Sequence, residues 1–189
     1  INENLVDFPV LVRLTPADID YASIQPNGED LVFIDADGAT QLAHEIGTWN
    51  PGGESTVWVK VPQIDANSDS DYIHLYSGNP LANDSQNPAA VWQDYAGVWH
   101  LDGDENDASP NANHGTNQGT SVAAGTIGNA RQFDGTSSHI SIANDPSLQI
   151  TGNLTMSAWI QLANTTENTY RRIISKKSAW NGISGYELE

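Results

Sequence analysis

The sequence predicts an all-β fold arranged as two tandem β-sandwich domains. Short runs alternate apolar and polar residues with a period of two, turn residues punctuate them at regular intervals, and helical periodicity is nearly absent.

Residues 8–14 (FPVLVRL), 31–35 (LVFID), 42–49 (LAHEIGTW), 56–62 (TVWVKVP) and 72–76 (YIHLY) read as strands rich in β-branched and aromatic residues. Asn27-Gly28, Asp37-Gly38, Asn50-Pro51-Gly52-Gly53 and Ser77-Gly78-Asn79-Pro80 supply the turns between them. Val57, Val59 and Val61 share one side of their strand, with Trp58 and Lys60 on the other, which predicts a half-buried strand. The polar stretch 79–95 carries two prolines and marks the expected domain boundary, giving a first domain at 1–90 and a second at 95–189. In the second domain the runs 96–102, 130–134, 138–142, 154–162, 171–176 and 185–189 read as further strands. Residues 103–129, rich in Gly, Asn, Asp and Ser, read as one long loop, which a compact domain tolerates when something orders it.

Composition narrows the function. The 189 residues carry 24 acidic and 7 basic side chains, a formal net charge of −17. Nucleic acid is not an expected partner, because phosphate binding needs a basic footprint. No apolar run approaches the roughly 20 residues a membrane helix requires, so no membrane insertion is expected. Cysteine is absent, which excludes a disulfide scaffold but not an extracellular protein. The chain opens on Ile1 with no signal sequence in view and closes on what reads as a strand, so both ends are expected to be cut points of a longer polypeptide.

The stretch HLDGDENDASPNANHGTN (100–117) gathers Asp102, Asp104, Glu105 and Asp107 among amide and hydroxyl oxygens, with no Lys or Arg adjacent in sequence. Asp107, Ser109, Asn111 and Asn113 place oxygen side chains at every second position. That pattern suits a curled calcium loop, which needs 6–8 oxygens at about 2.3–2.6 Å. Asp102, Asp104, Asp107, Ser109, Asn111 and Asn113 are the candidate ligands, and Ca2+ is the expected ion. The competing reading is an exposed set of Asx-turns whose charges are screened by water and salt.

The histidines are spread too widely for a zinc site, and His100, on a predicted strand, reads as a hydrogen-bonded structural residue. Among the six tryptophans, Trp159 falls on the polar face of 154–162, either as an exposed platform for sugar C–H surfaces or packed beneath a loop. Trp159, Trp180 and His114 are the candidate ligand-binding residues. Glu45, Glu187 and Glu189 are the strand carboxylates that could suggest glycosidase chemistry; Glu187 and Glu189 would share one strand face, but no third residue supports the pattern. No nucleophile elbow, phosphate loop or dinucleotide fingerprint occurs. No catalytic residue is assigned, and the chain is not expected to be an enzyme.

The ordered segments FPVLVRL, DLVFIDADGATQLAHEIGTW, VWVKVP and YIHLYSGN resemble an uncharacterised bacterial and archaeal domain family of large exported or surface proteins. From YAGVWHLDG onward, the segments DASPNANHGT, GTIGNARQFDGTSSHISI, LTMSAWIQL and IISK resemble the first half of a laminin G-like, concanavalin A-like jelly roll. The second resemblance implies a truncated jelly roll of a sugar-binding or adhesive kind, often with calcium near the sheet edge. Together these readings give a non-catalytic, extracellular or cell-surface recognition module, with a glycan or cell-surface polymer as partner and a calcium-ordered loop. The alternatives are a self-assembling structural unit of a surface protein or filament, or an accessory binding module of a polysaccharide-degrading enzyme.

Overall fold

The computed structural model describes residues 2–163, 171–177 and 185–189 and is nearly all β. It divides into two compact units, Ile1–Gln149 and Ile150–Glu189. The first unit begins with strands β1 (Leu5–Leu14), β2 (Val32–Asp35), β3 (Gln41–Leu42), β4 (His44–Thr48), β5 (Ser55–Ile64) and β6 (Ile73–Tyr76). They form two antiparallel three-stranded sheets, β1-β5-β4 and β3-β2-β6. The predicted strands 8–14, 31–35, 56–62 and 72–76 are present with different ends, whereas the predicted strand 42–49 is divided at Ala43 between β3 and β4, which lie in different sheets.

The core lies between these sheets. Register pairs Val12 with Val57 and Val10 with Val59, and Phe33 with both Leu42 and Leu75. Leu31, Phe33, Val57 and Val59 are at most 1% exposed, and Leu14, Ile24 and Leu42 complete the cluster. Each such side chain contributes about 1.5–3 kcal/mol by leaving water. Tyr21 closes one end: its hydroxyl donates to the Leu14 carbonyl and meets the Ser55 hydroxyl, and its ring packs edge-on against Trp49.

Strand β5 is not half-buried as its alternation predicts. Its second face is covered by the chain that follows β6, beginning with the one-turn helix α1 (Pro88–Val91). Asn87 caps that turn by accepting from the Ala90 N–H, and Pro88 supplies the first helical position. Trp92, 5% exposed, then meets the Trp58 ring edge-on at 5.2 Å, while the Lys60 ammonium donates to Asp94 at 2.7 Å. Trp58 and Lys60 read as solvent-facing because alternation cannot report what a distant segment will cover. The polar stretch 79–95 is therefore packed down: the Gln86 side chain accepts from the Ile46 N–H, and the Asn87 N–H donates to the His44 carbonyl.

Two further expectations change in this unit. Residues 96–102 form no strand, only a single bridge between Trp99 and Asp107. Leu101 has φ = 58°, a left-handed conformation that ends any extended run. The predicted 103–129 loop contains β7 (Gly115–Gln118) and β8 (Ser121–Ala124). These pair with β10 (His139–Ile142) and β9 (Asn129–Gln132) respectively, so one hairpin nests inside another. Each missed strand holds a single β-branched residue, Thr116 in GTNQ and Val122 in SVAA, among Gly, Ala and polar neighbours, too few to mark a strand. Asp134, which turns β9 into β10, accepts from the Thr136, Ser137 and Ser138 N–H groups; those bonds hold its carboxyl well below the usual carboxylate range.

The unit Ile150–Glu189 contains the antiparallel pair β11 (Ile174–Lys177) and β12 (Gly185–Leu188). Glu187 on β12 forms ion pairs with Arg172 and Lys177. Residues 154–162, predicted as a strand, have no ladder among the described residues. An alternating run states which side chains differ by face, but pairing needs a partner that the pattern does not name.

His44 gives the fold a pH dependence. Its ring is 1% exposed, lies 5.2 Å from Phe33, and leaves Nδ1 without a hydrogen-bond partner. Burial lowers its pKa below the ordinary 6.5, outweighing the opposing charge of Asp84 and a hydrogen bond with the Leu42 backbone. The unfolded chain therefore binds the proton more readily than the fold does. Stability from the neutral ring is present above about pH 6.5 and is lost as pH falls through that value. The urea midpoint is expected to drop between pH 7.5 and 5.5 in the native chain, with the drop reduced in His44→Gln. Equal drops in both proteins would refute the assignment.

Candidate functional site

The acidic loop folds around Asp107. This carboxylate is 5% exposed and accepts four hydrogen bonds. Its Oδ1 takes the N–H groups of Val98 at 2.8 Å and Ser109 at 2.9 Å. Its Oδ2 takes the Ser109 hydroxyl at 2.8 Å and the Asn113 N–H at 2.9 Å. Three backbone N–H dipoles thus converge on one buried side chain. Ser109 and Asn113 are buried beside it. The Asn113 side-chain amide donates to the Ala96 carbonyl and the Ser147 hydroxyl, and the Asn113 backbone carbonyl accepts from the Trp99 indole at 2.9 Å. Asn111 donates to the carbonyls of Tyr95 and Ala96.

The other carboxylates have their own partners. Asp102 Oδ2 accepts from the Thr48 hydroxyl at 2.7 Å, and its Oδ1 accepts from the N–H and side-chain amide of Asn129. Gly128, at φ = 62°, makes that approach feasible; a Cβ there would collide with the Asp102 carboxylate. Asp104 accepts from both the backbone and the side chain of Asn106, an exposed Asx-turn. Glu105 is neutralised by Arg131 of β9, 2.7 Å away, whose guanidinium also donates to the Gly103 carbonyl. A cation distant in sequence is therefore adjacent in space. Negative charge is tolerated here by hydrogen-bond donors and one arginine.

This arrangement does not fit a calcium cage. The oxygens of Asp102, Asp104 and Asp107 are occupied by protein N–H and O–H groups, whose dipoles would oppose a cation. Among the described residues, no group of three or more His, Cys, Asp or Glu side chains is gathered so as to hold a metal ion. Ligation would require the loop to open first.

Among the three ligand-binding candidates, His114 borders the knot: its Nδ1 accepts the Asp107 N–H at 3.1 Å, leaving an exposed imidazole edge. Trp159 is 81% exposed in the second unit. Trp180 lies outside the described residues.

A second polar centre surrounds Glu45 on β4. Its Oε2 accepts from the Trp92 indole at 2.5 Å and lies 3.1 Å from His100 Nε2. The His100 ring stacks on Trp58 at 6.0 Å with a 17° interplanar angle. His100 is thus hydrogen-bonded, as expected, while Glu45 is a clamp that fastens 92–100 to the sheet. A third carboxylate, Asp30, is 2% exposed and joins two loops; sequence reasoning had no signal for it beyond its position before an apolar run.

Comparison with known proteins finds no match among curated proteins and none among solved structures. One family model matches residues 27–118, just under half of the chain, and spans Asp30, Glu45, Trp92, His100, Asp107 and Asn113: the family is described as a domain of unknown function (DUF2341).

Proposed function

We propose that the chain is a non-catalytic recognition module of an extracellular or cell-surface protein, carbohydrate-binding or adhesin-like. In this reading two sandwich domains, at 1–90 and 95–189, follow one another, the second on a laminin G-like, concanavalin A-like plan. The observation that carries it is the exposure of Trp159, 81%, beside Ile160 at 55% and Leu162 at 49%. A large indole held in water has no stabilising role at its own position, whereas its flat face suits the C–H surface of a sugar ring. Glycan-array binding of the chain, with and without calcium, tests the reading; at least one neutral glycan is expected to be retained, and retention of none would reject it.

Calcium ordering of the 102–117 loop is the additional proposal made from its oxygen pattern. Because the loop's own donors already occupy those oxygens, the ion would have to displace them; calcium excess is expected to raise the melting temperature above that in chelator, and identical curves would reject the proposal. A rise of several degrees with calcium would show that the loop rearranges to bind the ion.

Assembly into a surface polymer is the second reading, favoured by β1 standing at a sheet edge with Val6 66% and Phe8 41% exposed. Such an edge is a template for another strand. Concentration-dependent light scattering that disappears on Val6→Lys would support it.

A further inference from the structure

The outer face of the sheet β3-β2-β6 departs from the polar pattern of a solvated sheet. Register places Tyr76 beside Val32 and His74 beside Ile34. Tyr72 continues the row: its ring lies 5.3 Å from that of His74 at 82°, and the His74 ring lies 6.2 Å from Tyr76 at 41°. Alternate residues share one side of a strand, so these rings form a row about 14 Å long at roughly 3.4 Å per residue. Tyr72 is 58% and Tyr76 56% exposed. The corresponding face of the other sheet is covered by α1 and Trp92. This one carries aromatic and aliphatic side chains with Lys and Arg absent from the row.

We propose that Tyr72, His74 and Tyr76 form a binding platform for a neutral, hydroxyl-rich polymer, a glycan chain lying along β6. Ring faces meet sugar C–H groups, while the two phenols and the imidazole offer donors and acceptors to hydroxyls. At the Tyr72 end the platform meets a cavity of about 290 Å3 whose lining includes Asp35, Gln63, Asp71 and Tyr72, so acceptors for further hydroxyls adjoin the rings. Charge selects this occupant over others. A second copy would bring together two chains of formal charge −17, and an anionic polymer would meet the same repulsion. A neutral polyol meets none. The inference rests on the recognition reading above but adds a contact surface in the first unit, independent of Trp159.

Affinity electrophoresis of the whole chain in gels containing soluble xylan, galactomannan or hydroxyethyl cellulose tests it. The native chain is expected to be retarded by at least one polymer, and Tyr72→Ala/Tyr76→Ala to weaken that binding by about tenfold or more. Tyr72→Phe/Tyr76→Phe, which keeps the rings, is expected to retain most of it. An unchanged urea midpoint establishes that the alanine pair is folded; should it fall, Tyr76→Gln alone takes its place. Retardation of the native chain with no loss in the folded tyrosine variants would overturn the platform and leave the recognition reading standing. Absence of retardation by every polymer would overturn both. A concentration-dependent dimer dissolved by the alanine pair would assign the face to self-association and likewise overturn the proposal.

Discussion

Asp107→Ala is expected to release the 96–114 segment from its folded arrangement, at a cost of about 3–5 kcal/mol to the local structure. The substitution removes one acceptor group and strands three backbone N–H donors, those of Val98, Ser109 and Asn113, together with the Ser109 hydroxyl. Each donor left dry costs about 1–3 kcal/mol, and rearrangement toward water recovers part of the sum. The recovery route is local opening, because the segment is anchored to the first sheet separately, through Glu45 to Trp92 and His100. Amide exchange at Val98, Ser109 and Asn113 is therefore expected to accelerate while exchange at Val57 and Val59 stays slow. Trp99 reports the same event, since its indole donates to the Asn113 carbonyl and its fluorescence should shift to the red on exposure. Asp107→Asn preserves volume but retains only one acceptor oxygen, so it should fall between the native chain and the alanine variant. Native protection at those amides in Asp107→Ala would refute the carboxylate's role as the loop's organiser.

The contrast between this loop and the strands shows what the sequence made legible. Strands β1, β2, β4, β5 and β6 were readable because Val, Ile, Leu and Phe alternate in them, and alternation follows directly from burial of one face. Strands β7 and β8 were not, because GTNQ and SVAA satisfy a ladder without a hydrophobic face to announce it. The candidate site was legible as chemistry but not as geometry. Oxygens at 107, 109, 111 and 113 suit outward-facing metal ligation and inward-facing turn capping equally well. The difference lies in whether backbone N–H groups converge on the carboxylate, which depends on φ values such as the 51° at Ala112. Arg131 opposite Glu105 depends in turn on the nested hairpin, a long-range pairing that local reading does not deliver. The Tyr72–His74–Tyr76 row was visible as a strand, yet its exposure became apparent only when Phe33 and Leu75 were seen to claim the opposite face.

Asp30→Ala is expected to destabilise the whole sheet pair by about 3–4 kcal/mol, because this buried carboxylate joins the loop before β2 to the turn after β6 and its loss strands three N–H donors. Its Oδ1 accepts the Gln25 N–H at 2.8 Å, ahead of β2, and its Oδ2 accepts the Gly78 and Asn79 N–H groups at 2.6 and 3.0 Å, just after β6. The Gln25 side chain reinforces the junction by donating to the carbonyls of Asn79 and Ala82. Leu31, fully buried, is the next residue, so displacement of Asp30 is transmitted directly to the core. Gly78 adopts φ = 89°, which a side chain would resist, and its N–H is thereby turned toward Asp30. Asp30→Asn separates hydrogen bonding from packing: it matches the aspartate in shape, but an amide nitrogen in the Oδ2 position would face two N–H donors, and the flipped amide would face Gln25 instead. Both variants are therefore expected to lower the urea midpoint, with the asparagine cost at half the alanine cost or more. Were Asp30→Asn as stable as the native chain, three donors on one buried carboxylate would not explain why Asp30 is buried.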